Sequence, residues 1–281
     1  MQLSCQNNNE LEPFLKWAGG KRWLVKRGNQ LSPSSYKRYI EPFLGGAAVF
    51  FSLPEKPYII SDLNPELVNC YEAIKDDYRE VEKYLRAHHK KHCDDYYYQV
   101  RSSRPRKKCI RAARFLYLNR TCWNGLYRVN LQGKFNVPRG TKNKVILDTD
   151  NFQNISKRLN KGKILCQDFE ETVSVALEGD FVFIDPPYTV NHNLNGFLKY
   201  NEKIFSWADQ ERLREAIVSA VDRGVMITMT NADHPSIHKL YSGMGKIERV
   251  ERSSVIAGSS SHRGATSEIL MRMGWDIFPK G

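Results

Sequence analysis

Short apolar runs that each close on an acid recur along this chain and limit the folds open to it more than any other feature. PYIISD closes on Asp62, KILCQD on Asp168 and DFVFID on Asp185. Runs of this length suit buried strands and are too short for core helices. YKRYIEPFLGGAAVFFSL reads as a strand, a tight glycine turn and an apolar helix, and PYIISDLNPELVNCYEAIKDD repeats that order. Asn64 or Ser61 could cap the second of these helices, with Pro65 tolerated in its first turn. Farther on, residues 207–224 show a long amphipathic helical pattern, and VMITMTN (225–231) is another buried strand. Strand–turn–helix units in series predict an α/β fold.

Between these stretches the alternation stops. From about residue 81 to 120 the pattern is helical and basic. Residues 119–144 are rich in Asn, Gly, Lys and Arg and read as loops and a small β-ribbon on a helical base. The expected organisation is one split domain, 10–70 and 163–281, interrupted by an insert at 71–162. Hydrophobic residues are 41% of the 281, enough for a sizeable core. No run of eighteen apolar residues exists, so no conventional membrane span is expected. The N-terminus MQLSCQNNNE has no basic stretch leading into an apolar one, so no secretory signal is expected either. Six cysteines, at 5, 70, 93, 109, 122 and 166, form no CxxC pair. They fit a reduced, cytoplasmic protein without a structural metal. His88, His89, His92 and Cys93 cluster, but they lack a second half and are crowded by Lys90 and Lys91.

Forty-three basic residues against thirty-one acidic ones give a net charge of +12, which suggests a polyanionic partner. Residues 101–120 hold eight Lys or Arg and no acid, a concentration that favours a binding face. Arg101, Arg104, Arg106, Lys107, Lys108 and Arg111 are the phosphate candidates there. In NRTCWNGLYRVN (119–130), followed by GKFNVPRG (133–140), Trp123 and Leu126 are apolar within a polar, basic loop. Such residues can wedge where a base leaves the stack. Arg128 can pair bidentately with a guanine edge, and Asn124 can reach base or backbone. The alternative is a structured loop with its own small core, using Trp123 and Phe135.

DPPY at 185–188 is the sharpest chemical signal. Asp185 follows the apolar run FVFI and so lies at the carboxyl end of a strand, where open sheets place reacting groups. Pro186 and Pro187 have no amide hydrogens and hold the backbone extended, with carbonyls fixed as acceptors. The exocyclic amine of a base is a poor nucleophile because its lone pair is delocalised. A carboxylate and a carbonyl can accept its two hydrogens and stabilise the charge that develops on nitrogen, while Tyr188 stacks on the ring.

EPFLGG (41–46) has two glycines that let the backbone approach a ligand closely. It matches neither a P-loop nor GxGxxG. Asp62, about seventeen residues further on, suits a ribose diol. Together they suggest a nucleoside cofactor, and S-adenosyl-L-methionine fits better than a dinucleotide because no diphosphate-binding signature is present. KWAGGK (16–21) could clasp the cofactor's amino-acid end, and Lys16 or Lys21 could face phosphate or a base edge. Asp168 could accept from the cofactor's adenine amine or cap a helix. His262 and Arg263, in SSSHRGATSEIL (259–270), could grip phosphate from a loop beside an edge strand or sit in a plain hairpin turn.

FLKWAGGK, YIEPFLGGAAVF, SDLNPELVNCY, RAARFLYLNRTCWNGLYRVN, GKFNVP and DFVFIDPPY occur in that order. Together they resemble the Dam-type DNA adenine-N6 methyltransferases, above all the GATC-modifying enzymes of restriction–modification systems. The likeness runs from about Phe14 to Met273. It implies a Rossmann-like methyltransferase sheet with an inserted, mainly helical DNA target-recognition domain. It implies that Phe43, Gly45 and Asp62 contact S-adenosyl-L-methionine, with Trp17, Lys21 and Asp185 nearby, and that Asp168 accepts from the cofactor's adenine. Asp185, Pro186 and Tyr188 would hold the target adenine. Lys16 resembles a lysine that contacts the first guanine of GATC, and Arg128 an arginine that reads the guanine opposite the last cytosine. Trp123 and Asn124 stand where the family fills the space left by the flipped adenine, and Leu126 and Pro138 where it touches the thymines. The implied substrate is double-stranded DNA, bound by a monomer, with a cognate restriction endonuclease as a fitting partner. One departure stands out: TVNHNLNGFLKYNEKIF (189–205) lacks the family's Phe–Thr–x–Tyr element, though Phe197 and Tyr200 could supply its aromatics. The competing expectations are a longer or different GAT-containing site, an RNA or protein amide methyltransferase using the same carboxyl-end site, and a DNA-binding protein that has lost catalysis.

Overall fold

The computed structural model describes residues 11–28, 30–190, 205–253 and 265–275. Phe197 and Tyr200, and the loop with His262 and Arg263, lie outside the described residues. The chain divides into two units and passes between them several times. The first comprises residues 1–25, 44–55 and 62–166, and the second 26–43, 56–61 and 167–281.

In chain order the strands are β1 (Tyr39–Glu41), β2 (Tyr58–Asp62), β3 (Gly162–Cys166), β4 (Phe181–Ile184), β5 (Met226–Ala232), β6 (Lys246–Ser253) and β7 (Ala265–Met273). The second unit is built on a sheet in the order β2-β1-β4-β5-β7-β6. β1 runs parallel to β2, with Tyr39 opposite Tyr58, and parallel to β4, with Tyr39 opposite Phe181. β4 is parallel to β5, whereas β7 is antiparallel to both β5 and β6. All four residues of β4 are buried, as the unbroken apolar run FVFI predicts for a strand covered on both faces. The predicted α/β class is what the chain adopts: a mainly parallel sheet with a reversed strand inserted near one edge. The chain leaves β1 for one side of it and returns on the other, so the strand order reverses between β1 and β4. In open sheets the crevice beyond the carboxyl ends at such a reversal is where ligands sit.

The helices are α1 (Arg22–Lys26), α2 (Ala48–Ser52), α3 (Pro65–Lys91), α4 (Asp94–Ser102), α5 (Lys108–Thr121), α6 (Phe152–Leu159), α7 (Phe169–Ser174), α8 (Trp207–Asp222) and α9 (Pro235–Leu240). In the first unit α3 packs along α5 and α6, burying Leu67, Tyr71, Ile74, Val81 and Leu85 at helical spacing. Asn64, rather than Ser61, caps α3: its Oδ1 accepts from the amides of Glu66 and Leu67 at 3.0 and 3.3 Å. Asp77 breaks the helical backbone inside α3 (φ −149°, ψ 75°), and its carboxylate receives the Glu80 amide at 3.0 Å. His88 and His92 pack against tyrosines. His88 meets the Tyr96 hydroxyl at 2.9 Å and stacks on Tyr117, and His92 meets the Tyr117 hydroxyl at 2.8 Å. Burial, with Arg114 and Lys91 close by, brings His88 down to about 4, so the ring stays neutral.

At the end of α5 the Arg120 guanidinium is buried. It forms a two-pronged pair with Asp150, at 2.6 and 2.7 Å, and donates to the carbonyls of Val145 and Phe14. One side chain thereby ties three separate segments of the first unit together.

Candidate active site and nucleic-acid interface

In the second unit, Asp185 stands one residue beyond the buried end of β4, half-exposed and next to buried Pro186. The neighbouring strand β5 supplies Thr230, whose hydroxyl donates to Asp185 Oδ1 at 2.7 Å. Tyr188 donates its hydroxyl to Glu268 Oε2 at 2.7 Å from β7. Burial, with Asp185 and Glu268 nearby, pushes the Tyr188 phenol well above its usual range, so it remains a neutral donor with its ring held at one end. Sequence reasoning missed both partners. A signal existed: Thr230 interrupts a buried strand, and Glu268 is a lone acid inside SEIL. Buried polar groups need partners, so each pointed to something beyond packing.

Phe43, two residues past β1, packs in an aromatic cluster. It stacks on Phe169 at 5.5 Å and meets Phe205 edge-on at 5.6 Å. Asp168 caps α7, its Oδ1 accepting from the Glu170 amide at 2.9 Å and from Arg212 at 2.9 Å. Of its two predicted uses, capping is therefore present in the structure.

In the first unit, Asp62 and Gly45 meet. Asp62 Oδ2 accepts from the Gly45 amide at 3.1 Å, and its Oδ1 accepts from Asn64 at 2.9 Å. Burial raises the pKa of this carboxyl above its ordinary value, against the pull of those amides. Gly45 has φ +46°, and a Cβ there would lie 2.7 Å from Trp17 Cδ1. Only glycine lets the indole lie flat on this turn. Lys21 is buried and donates to the Gly19 carbonyl at 2.7 Å. Lys16 has its backbone bonded on both sides to Asn119 and its side chain beside Lys142. Burial first, and then Lys142, lowers the Lys16 ammonium to about 8.

The basic stretch after α5 is a short ribbon of the first unit, closed by bridges Cys122–Arg139 and Val129–Phe135. Trp123 is 51% exposed and Leu126 37%, and Asn124 sits in the left-handed region at φ 54°. The ribbon's own core is Tyr127, stacked on Trp17 at 5.7 Å and packed on Phe135 at 5.8 Å. Trp123 is left outward, which sets aside the alternative of a loop core built on it. Trp123 N donates to the carbonyl of exposed Pro138 at 2.9 Å. Arg128 is exposed and donates to Asn136 Oδ1 at 2.8 Å.

The phosphate candidates divide. Arg111 is paired with Glu66, and Lys108 with Asp76 and Glu72. Arg101 donates to the Val137 carbonyl. Arg104, Arg106 and Lys107 are exposed and make no ion pair among the described residues. A cavity of about 690 Å³ opens in this unit, with Arg101, Arg104, Arg111, Arg114, Asn130 and Lys134 in its wall.

The chain belongs to the D12 class N6 adenine-specific DNA methyltransferase family, whose description matches residues 17–256. It is 38% identical to the type II methyltransferase M1.LlaDCHI of Lactococcus lactis subsp. cremoris, over 96% of this chain and 98% of that one. It is 35% identical to the type II methyltransferase M.MjaIII of Methanocaldococcus jannaschii, over 93% and 99%. It is 32% identical to the DNA adenine methylase of Haemophilus influenzae, over 93% of each. It is thus an enzyme, a DNA methyltransferase of adenine N6, and S-adenosyl-L-methionine is the methyl donor that membership implies.

Proposed function

We propose that this enzyme methylates adenine N6 within GATC in double-stranded DNA, as the modification partner of a cognate restriction endonuclease. The observation that supports it most is Asp185 at the end of β4, oriented by Thr230 at the point where strand order reverses. The names of two relatives, type II methyltransferases, support the pairing with a nuclease. The same reading assigns residues 71–162 to target recognition and residues 10–70 and 163–281 to catalysis and cofactor binding. It also has the enzyme act as a monomer in the cytoplasm; among the described residues no helix is long and apolar enough to cross a membrane.

The donor set fits S-adenosyl-L-methionine. Asp62 is a carboxylate with acceptor capacity beyond its backbone bonds, suited to the two hydroxyls of a ribose. The turn at Gly45 is open to close approach, with Trp17 and Lys21 for the amino-acid end. Phe43 offers a ring to the cofactor's adenine, and Asp168 Oδ2 an acceptor to its amine. When bound, S-adenosyl-L-methionine supplies an electrophilic methyl group on a sulfonium. Asp185 and the Pro186 carbonyl accept the two hydrogens of the target amine and turn its lone pair toward that methyl group. Tyr188 stacks on the base. Asp185 would take the proton that N6 loses once the new N–C bond has replaced the methyl–sulfur bond, whose electron pair leaves with the thioether, so no covalent bond to the enzyme is needed. Lys16, Arg128, Leu126 and Pro138 read the site, while Trp123 and Asn124 fill the gap left by the flipped base. Arg111, on this reading, contacts the duplex by exchanging its pair with Glu66 for a phosphate.

The test is long-read sequencing of genomic DNA from a methylation-negative host that expresses the wild type or Asp185→Ala. The expected result is N6-methyladenine at GATC with the wild type and none with the variant. Modification confined to another motif rejects GATC, and wild-type turnover by the variant rejects the role of Asp185.

A further inference from the structure

Asn119 is buried at the end of α5, and its side chain is spent almost wholly on one neighbour. Its Oδ1 accepts from the Lys16 amide at 3.0 Å, and its Nδ2 donates to the Lys16 carbonyl at 2.7 Å. The other hydrogen of Nδ2 goes to the Gly125 carbonyl at 3.2 Å, inside the turn that presents Trp123 and Asn124. A primary amide is the one uncharged side chain with an acceptor and two donors in a plane, so it can clip both backbone groups of a single residue. Gly125 closes the clip from the other side. A Cβ there would lie 2.8 Å from Lys16 Cδ, and the residue's φ of +68° also favours glycine. Lys16 is therefore held at both its amide and carbonyl and along its stem, with only the head left to move. Its neighbour Trp17 is fixed by stacking on Tyr127.

A lysine is ordinarily a flexible point charge that contacts phosphate and purine acceptors alike. Discrimination at a base edge needs the head held in register with the elements that read the neighbouring bases. We infer that Asn119 is a specificity-determining positioning residue: it locks the backbone of Lys16 to the recognition turn, so that the Lys16 ammonium addresses one guanine edge rather than the backbone. This rests on the proposed reading of Lys16 as a contact to the first guanine. Asn119 touches no substrate itself.

The experiment measures kcat/KM of the full-length enzyme on GATC duplexes and on duplexes changed at one base at a time. The proteins are wild type, Lys16→Ala, Asn119→Ala and the double variant. Asn119→Ala is expected to lower the preference for the first guanine by about tenfold, the scale of a lost side-chain contact to a base. Preference at the thymine and cytosine positions should hold. The double variant should discriminate no worse than Lys16→Ala alone, because residues that act through one contact are not additive. Gly125→Ala, which displaces Lys16 while leaving Asn119 in place, should reproduce the same loss at the same base, and it keeps the test sharp if Asn119→Ala folds poorly. Equal loss at the guanine, thymine and cytosine positions, or additivity with Lys16→Ala, overturns the inference. Unchanged preference in Lys16→Ala overturns the reading of Lys16 and the inference with it. Lost preference in Lys16→Ala beside intact preference in both Asn119→Ala and Gly125→Ala overturns the inference alone.

Discussion

Lys16 loses charge more readily than an ordinary lysine, because its partly buried ammonium faces Lys142. DNA acceptors favour the charged form, so binding should raise its pKa and take up a proton above pH 8. The sign follows: affinity for duplex is full below about 8 and falls as pH rises past it, by at most about tenfold per unit for one proton. Fluorescence anisotropy from pH 7 to 9.5 should show this slope, and Lys16→Arg should flatten it. A wild-type affinity constant across that range would refute the coupling. At the catalytic end, Thr230→Val keeps the shape of the side chain and removes the bond to Asp185 Oδ1. A hydrogen bond to a charged group contributes roughly 1.5–3 kcal/mol. Expressed in the rate, kcat should drop about ten- to a hundred-fold with KM for DNA little changed, as steady-state assays would register. Equal losses in kcat and DNA affinity would instead mean that Thr230 holds the fold.

Single elements depend on a few connections. The Arg120–Asp150 pair ties the end of α5 to Phe14 and Val145. Removing one partner leaves the other charge buried and uncompensated, so Asp150→Ala should cost about 3–5 kcal/mol, read as a shifted denaturant midpoint. Replacing both residues with apolar ones should recover part of that loss; if the double replacement is no more stable than Asp150→Ala, the uncompensated charge is not the cause. The ribbon has a similar dependence at Gly140, where a Cβ would lie 2.5 Å from the Cys122 carbonyl oxygen. Backbone cannot give way as a flexible side chain can. Gly140→Ala is expected to destabilise by about 1–3 kcal/mol and to loosen the ribbon. Hydrogen exchange should report faster opening at Trp123, whose amide is bonded to Pro138, with α3 unaffected.

For the molecule as a whole, the proposed reading has the excess of basic residues set general affinity for DNA and a few side chains set which sequence is modified. Arg104, Arg106 and Lys107 are the exposed cations of the basic stretch without an ion pair among the described residues. Their joint replacement by glutamine should reduce the slope of log affinity against log salt by about 3. The ratio of kcat/KM between GATC and altered sites should stay as in the wild type, because phosphate contacts hold no sequence information. A changed ratio would move these residues from the backbone to the base edges.

Much of this organisation was legible in the residues themselves. The apolar runs YIIS and FVFI announce buried strands, whereas the KILC run forms a strand in which only Ile164 is buried; Asp185 follows FVFI by covalent connection alone, so its place at a strand end needed no tertiary information. The tight glycine turn at 45–46 is likewise local, and the sequence narrows the cap of α3 to Asn64 or Ser61, of which the structure takes Asn64. Partnerships across the chain were not legible. Asn119 and Lys16 are more than a hundred residues apart, and Thr230 reaches Asp185 only because β5 lies beside β4. The basic stretch reads as one uniform run of cations, yet Glu66 and Asp76 claim Arg111 and Lys108 and leave Arg104, Arg106 and Lys107 outward. Local sequence specifies backbone conformation because torsional and steric energies are short-ranged. Which polar group meets which is decided only when packing brings distant segments together and every buried donor must find an acceptor.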